Sequence, residues 1–556
     1  MFRGKHGPIV VLALLCMTVL SLGLAAPKAV ADRGEDGSDR DKQLRRAQEA
    51  VLDPQTETGD RRDYGATRGP SRIGRAETQA GSTSSALVNS VGGRWANAAP
   101  LRSGFNAIHV VVGRGKILLV AGSGNQAARL EAGTFESFIC SSTLTRCTEV
   151  ETPVDLFCAG HVLLPDGRAL VGGGTLSYSP FKGAKYLYAF NFDSERYERL
   201  TPMEVGRWYP SMVTTINGST LITGGLDENG VLTGTSEIFD HRTNSHHMLP
   251  GEQKFPLYPR IQLTKRGDYF YSGVGFGAAT GTTPPGFWDP YKDTFRPVAG
   301  LRTPKQRSSA ASCFVGDLRN QRVLVMGGGA PAVNTTDRIK LSATSPRFTP
   351  GPTLKAKKQY LSCLTLPDGS LLEAGGGGTN KIGSASYEMS QLTSIDSQWK
   401  SLNPIPAGNH RLYHSSHFLL DDGRMVSLGS DPKGQARSES VLVYSPPYLY
   451  KGERPTIVEA PSVIKRLSQI SVKTTGGATR LTFTRPPAPT HGMDVGDGYL
   501  SFPIKNGKVD MAGGLARYMP TGYYRMWAVN GRGAVSKAKW VYMCQPSTEG
   551  TECHCC

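Results

Sequence analysis

The chain has 556 residues, ten cysteines and a formal charge of +17, with 38% hydrophobic and 20% charged residues. That length exceeds one ordinary core and calls for two or three domains. The basic residues are not interleaved with aromatics, which argues against nucleic acid and leaves a basic surface able to associate with cell-wall polymers or a membrane surface.

Arg3 and Lys5 precede an apolar run from Ile9 to about Leu24, and Ala29-Val30-Ala31 fits a small-x-small cleavage site. Residues 1–31 therefore read as a secretory signal peptide, and the protein as secreted or held at the cell surface. The alternative is an uncleaved anchor, for which the run is short against about 30 Å of hydrocarbon. Loss of Arg3, Lys5 and Lys28 lowers the formal charge from +17 to +14. Residues 32–92 are polar, rich in Arg, Asp, Gly and Ser, and read as a linker or stalk.

From residue 93 to 450 the chain repeats itself. Each unit has an apolar alternating run, a short polar turn, a second β-rich run and a glycine stop, as in FCAGHVLLPDGRALVGGG and RWYPSMVTTINGSTLITGG. Marking the stops at Gly122, Gly173, Gly225, Gly273, Gly328, Gly377 and Gly429 gives steps of 51, 52, 48, 55, 49 and 52 residues. A period near 50 with four short strands per unit is the kelch type of repeat. The expected fold is all-β, a seven-bladed kelch-like propeller.

The Pro-rich string Tyr444-Ser-Pro-Pro-Tyr-Leu-Tyr leads out of the repeats, and residues 453–545 show short alternating runs spaced as in an immunoglobulin-like β-sandwich. In an oxidising compartment, Cys140 and Cys147 around a short turn read as a hairpin disulfide, and Cys313 and Cys363 as buried or paired. The Cys-rich tail, 546–556, reads with Cys544 as a disulfide knot, with a metal site as the alternative.

Four residues at the head of three inner strands carry chemistry. Cys158 lies 15 residues before its glycine stop, Tyr209 lies 16 before the next, and Tyr413 and His414 lie 16 and 15 before the last. Matching blade positions bring them toward one end of the propeller axis. Singly, each has a plain structural reading: a buried cysteine, axis-lining tyrosines, a loop histidine at His491. Together they form a concentrated set of redox and metal-ligand groups.

The strings DLFCAGH, GRWYPS and NHRLYHSS, with SPPYLYKGERPTI, APTHGMD and TGYYRMWAVNGRG further on, resemble the copper radical oxidases, the family of galactose oxidase and glyoxal oxidase, and are closer to the glyoxal oxidase-like members. The resemblance runs in order from about residue 93 to 545. It implies one copper ion held by Tyr209, Tyr413, His414 and His491, and a thioether cross-link between Cys158 and the Tyr209 ring that lets this tyrosine hold a radical. Two imidazoles, a phenolate and an open position also suit tetragonal Cu(II). The expected activity is oxidation of small aldehydes or primary alcohols, with dioxygen reduced to hydrogen peroxide. Tyr413 is the expected proton acceptor and the Tyr209 radical the group that takes hydrogen from carbon. A monomer is expected.

Four more residues are candidates for supporting the site or touching substrate. His161 follows the cysteine motif and is expected to support the site from behind the ligands. Trp208 precedes Tyr209, but alternation along a strand points their side chains to opposite faces. Galactose oxidase stacks a tryptophan over its cross-link from shortly after the tyrosine; here that stretch reads Gly224-Gly-Leu-Asp, and Trp288 is the candidate substitute. Arg260, at the opening of the fourth unit, is a candidate substrate contact. One string departs from the family: after His491 comes Gly-Met-Asp-Val-Gly-Asp-Gly, without the relatives' Gln-Arg, which puts the packing of this loop in question. The rival readings are a galactose oxidase-like sugar alcohol oxidase and a non-catalytic kelch-type binding module.

Overall fold

The structure is a computed structural model that describes residues 71–72, 89, 91–98, 105–277, 282–466, 468–511 and 518–544. The signal peptide, nearly all of the 32–92 stretch and the tail after Cys544 lie outside the described residues. Among the described residues no helix is long and apolar enough to cross a membrane.

Seven antiparallel sheets follow one another as the blades of a propeller. Blade I is built from His109–Gly113, Lys116–Gly122, Glu136–Ser141 and Arg146–Val150, and blade II starts at Ala159–Leu163. The inner strands of blades III to VI are Ser211–Thr214, Ile261–Leu263, Ala311–Phe314 and Ser362–Thr365. Blade VII takes Ser415–Leu419, Met425–Gly429 and Val441–Ser445 from its own repeat, and its outermost strand is the early segment Arg94–Ala98, which closes the ring.

Burial follows position within a blade. The second strands Lys116–Gly122 and Ala169–Gly173 are buried almost throughout, because each blade face packs on a neighbour. The outermost strands Arg196–Arg199, Ser245–Met248 and Thr294–Pro297 are largely exposed and polar. That difference is why the apolar runs in the repeat are continuous in the inner strands and interrupted outside. The glycine stops answer a steric demand: at Gly173, with φ 84°, a Cβ would come within 2.2 Å of the Arg207 carbonyl oxygen of the next blade.

The C-terminal domain is a five-stranded sheet, in the order Val463–Lys465, Lys539–Cys544, Gly522–Asn530, Ala478–Thr484 and Tyr499–Pro503, with two short strand pairs beside it. It sits on the blade turns that carry the Asp-Gly pairs. Thr482 Oγ1 donates to Pro367 O at 2.8 Å, Arg454 Nη2 to Asp422 O at 2.7 Å, and Arg525 Nη1 to Leu419 O at 2.8 Å. One apolar core, including Phe270, Phe314, Leu481, Phe483 and Met526, runs through both domains.

From this domain a hairpin, Pro489–Thr490 with Met493–Asp494, joins the inner edge of blade I, where His109 pairs with Thr490. The outer segment Ser71–Arg72 pairs with the other edge of the same sheet. Disulfides join Cys140 to Cys147 within a hairpin, and Cys313 to Cys363 between blades V and VI. Cys544 is also disulfide-bonded.

Candidate active site

The residues that open the inner strands of successive blades share one unusual backbone conformation. Cys158, Tyr209, Tyr258, Ser309, Tyr360 and His414 all have positive φ, between 43° and 64°. A left-handed conformation costs a non-glycine residue about 1 kcal/mol or more, so six in register require compensation. Backbone bonds between neighbouring blades supply part of it: Tyr209 N donates to Cys158 O, Tyr258 N to Tyr209 O, and Tyr360 N to Ser309 O, each at 2.9 Å. The result is a collar at one end of the axis, with side chains turned inward. His491, at the tip of the C-terminal hairpin, enters this collar with φ 50°.

Five sequence candidates meet there. The Tyr209 and Tyr413 hydroxyls share a short hydrogen bond, and Tyr209 Oη lies 3.2 Å from His491 Nε2. The Tyr413 and His414 rings stack, and the His414 and His491 rings meet edge to face with centroids 4.7 Å apart. Cys158 Sγ and one nitrogen each of His414 and His491 lie within 4.8 Å of one another. Cys158 is fully buried and is the one unpaired cysteine among the described residues.

Both imidazoles are oriented from behind. His414 Nδ1 faces Asp431 Oδ2 at 3.3 Å and Asn106 Nδ2 at 3.5 Å, while its buried Nε2 has no partner. His491 Nδ1 is taken by Thr490 Oγ1 at 2.6 Å. With Nδ1 occupied in each ring, Nε2 is free to face the phenols, as in a metal site whose ligands are fixed by outer partners. Asp431 is itself clasped by Arg437 Nε and Asn125 Nδ2, both at 3.0 Å. The His414 contact and the Arg437 charge hold its carboxyl well below the usual range, against the effect of burial.

Burial lowers the basicity of His414 and His491, so both rings are neutral at pH 7 and can offer lone pairs. It also pushes the Cys158 thiol and the Tyr209 and Tyr413 phenols well up. Deprotonating them therefore requires a cation to replace the lost solvation. Two imidazole nitrogens, that of His414 Nε2 buried and without a partner, and two phenol oxygens are a four-donor set whose chemistry fits copper.

Three residues stand differently from the sequence expectation. Trp208 does not face away from Tyr209: its indole lies flat on the phenol, centroids 4.0 Å apart and planes 18° from parallel. Both residues precede the strand, and the left-handed turn at Tyr209 cancels the alternation assumed for them. Trp288 does not substitute; it is buried between blades III and IV against Phe255 and Tyr269. Arg260 does not reach the collar. It is buried against Ser312 O and Asp497, beside a cleft lined by Gln262, Arg485 and Val495 that holds none of the five.

His161 lies below the site, near the carbonyls of Val110, Ala488 and Pro489 without reaching hydrogen-bond geometry. Its ring meets His109 at 5.2 Å, and His109 in turn packs on His491 at 5.9 Å. It therefore supports the His491 hairpin at one remove.

The sequence reading passed over several neighbours. Tyr258 stacks on Tyr209 at 4.4 Å and donates to Ala159 O at 2.8 Å. Phe276 packs on Tyr209, Tyr413 and His491, and Tyr360 on Tyr413, which makes the wall beside Tyr413 aromatic. Tyr258 and Tyr360 could have been found from their place in the repeat. Asp431, just after the last glycine stop, carried no motif.

Known proteins resemble this chain in sequence and fold. Residues 454–543 match the family described as galactose oxidase-like, early set domain. An aldehyde oxidase, GLOX, of Vitis pseudoreticulata is 26% identical over 450 residues, covering 70% of this chain and 82% of that protein. A galactose oxidase of Gibberella zeae is 22% identical over 438 residues, covering 72% of this chain and 62% of that protein. Among solved structures, a fungal alcohol oxidase of the AA5 family, in complex with copper, superposes with a TM-score of 0.70 at 18% identity, covering 81% of this chain and 99% of that one.

Proposed function

We propose that this member of the copper radical oxidase family oxidises small aldehydes, with Tyr209, Tyr413, His414 and His491 as the copper ligands and a Cys158–Tyr209 thioether as the second redox group. The observation that carries the reading is the gathering of His491 Nε2 and two hydroxyls, Tyr209 and Tyr413, at one buried point beside His414, whose Nε2 is unpartnered, each imidazole being held by its Nδ1. Copper bound there would supply one of the two electron equivalents the reaction needs, and the cross-linked Tyr209 ring the other.

The chain's own residues account for the remaining requirements. The Tyr413 oxygen, hydrogen-bonded to Tyr209 Oη, would as a phenolate stabilised by the metal take the hydroxyl proton of the substrate. The one-electron-oxidised Tyr209 would take the hydrogen atom from carbon at its phenoxyl oxygen. Trp208 and Tyr258, one stacked at 4.0 Å and the other at 4.4 Å, keep water from that ring. An aldehyde reacts as its hydrate: RCH(OH)2 and O2 give RCOOH and H2O2, two hydrogens passing from carbon and oxygen to dioxygen.

Small aldehydes are favoured over galactose by the aromatic wall of Phe276 and Tyr360 beside Tyr413, which offers a sugar few donors, and by the burial of Arg260 away from the collar. The aldehyde oxidase relative also aligns over more of its own length than the galactose oxidase does. We further propose a secreted monomer, exported by the N-terminal segment and kept near the cell surface by its positive charge. The test is peroxide release by copper-treated protein from glycolaldehyde, glyoxal and galactose. Turnover of the aldehydes well above galactose is expected. Equal or greater turnover of galactose overturns the substrate class, and no peroxide from any of them overturns the activity.

A further inference from the structure

His491 is the one proposed ligand that no blade supplies. It stands at the tip of a hairpin whose own sheet contacts are few: His109 pairs with Thr490, and Val112 N donates to Pro487 O at 3.0 Å. The returning arm is fixed by two buried carboxylates. Asp494 Oδ1 accepts from Ala488 N and Gly496 N, both at 2.8 Å, and so closes the hairpin on itself. Asp497 ties it to the propeller. Its Oδ2 accepts from Phe314 N at 2.6 Å and Arg260 Nη2 at 3.2 Å, and its Oδ1 from Thr365 Oγ1 at 3.0 Å.

Those three donors come from blades IV, V and VI. Arg260 is fixed in turn by Nε donating to Ser312 O at 2.8 Å. Cys313 and Cys363, each one or two residues from a donor, are disulfide-bonded, so blades V and VI are held together where Asp497 binds. Both charges are buried, with side-chain exposures of 3% for Arg260 and 5% for Asp497. A buried pair of this kind is a poor source of stability but fixes position well, because a shifted hairpin leaves a charge without a partner.

We infer that Asp497, clamped by Arg260, Phe314 N and Thr365, is a positioning residue that sets the height of His491 in the collar. The inference rests on the reading of His491 as a copper ligand. Arg260 thereby acts on the site through the hairpin and does not touch substrate.

The test compares full-length wild type with Asp497→Asn in two measurements. The first is amide hydrogen exchange over residues 486–498 in metal-free protein, where several-fold faster exchange is expected in the variant with the blade II strands unchanged. The second is Cu(II) affinity by chelator competition, where a loss of roughly ten-fold is expected, and no further loss when the substitution is added to His491→Ala. Unchanged hairpin exchange overturns the inference, as does an equal loss of affinity in the His491→Ala background. Should Asp497→Asn fail to fold, Thr365→Val removes one of the three donors at constant shape and carries the same comparison. A wild type that binds no copper would overturn the copper reading, while the exchange measurement would still judge the anchor.

Discussion

The indole of Trp208 lies against the ring of Tyr209, its own neighbour in the chain, with centroids 4.0 Å apart, and Phe181 stacks on the far face of the indole at 4.2 Å. Its Nε1 donates to Thr175 Oγ1 at 3.0 Å, which fixes the plane. An electron-rich face in contact with Tyr209 excludes water from the ring and would stabilise it once oxidised, as proposed above. Trp208→Phe keeps a ring in place but loses the indole and its hydrogen bond. Copper affinity should stay at the wild-type value, while the visible absorption of the oxidised protein decays roughly several-fold faster. An unchanged decay rate would remove Trp208 from the radical's environment.

The two imidazoles have unlike partners, and this sets a second expectation. Behind His414 stands the carboxylate of Asp431, behind His491 only the hydroxyl of Thr490. Replacing Asp431 with Asn removes the charge that would make His414 a strong donor to copper. Copper affinity should fall by about 10- to 100-fold. Thr490→Val should cost less, and Tyr413→Phe should retain copper and lose turnover. Chelator competition and peroxide assays measure all three. Equal affinity in Asp431→Asn and wild type would contradict the assigned role.

Acid sensitivity follows from the buried histidines. His109, His161, His414, His417 and His491 are fully buried, and desolvation lowers each below its ordinary 6.5, His161 to about 4 and His417 to about 3. The unfolded chain then binds more protons than the fold, so stability present above pH 6.5 is lost as pH falls toward the folded values. Asp155 and Asp497 oppose this, because burial raises both from 3.8 to about 6, and they gain stability as they protonate. His241 and His410 are also lowered, and Asp421, Asp494 and His246 also raised, so seven depressed histidines stand against five raised groups. The unfolding midpoint of metal-free protein should drop between about pH 7 and pH 5. His417→Gln, away from the collar, should flatten the slope. A midpoint that is flat or rises on acidification would contradict it.

Much of this architecture was legible because the repeat writes itself in glycine. The stops at Gly173 and Gly225 are required where a Cβ would strike the backbone at Arg207 or Trp208, so their spacing counts the blades. Cys158, Tyr209, Tyr413 and His414 were legible for the same reason, as they hold equivalent positions relative to those stops. What the sequence could not convey was backbone conformation at these positions. The left-handed turn at Tyr209 placed Trp208 on the ring, where strand alternation had put it on the opposite face. Arg260 and Asp497 are 237 residues apart, and nothing local to either announces the pair. The departure after His491 is now accounted for, since Asp494 and Asp497 pack the loop with bonds of their own.

Cys158 and Tyr209 are buried on adjacent blades and bonded through their backbones at 2.9 Å, and the proposed chemistry between them is the most direct test. Intact and peptide masses of the protein, measured before and after copper and air with disulfides reduced, test it. Formation of the thioether removes two hydrogens, so the treated protein should be about 2 Da lighter, with the Cys158 and Tyr209 peptides recovered as one species and no change in a Cys158→Ser control. An unchanged mass, with Cys158 recovered as a free thiol from copper-treated protein, would contradict it.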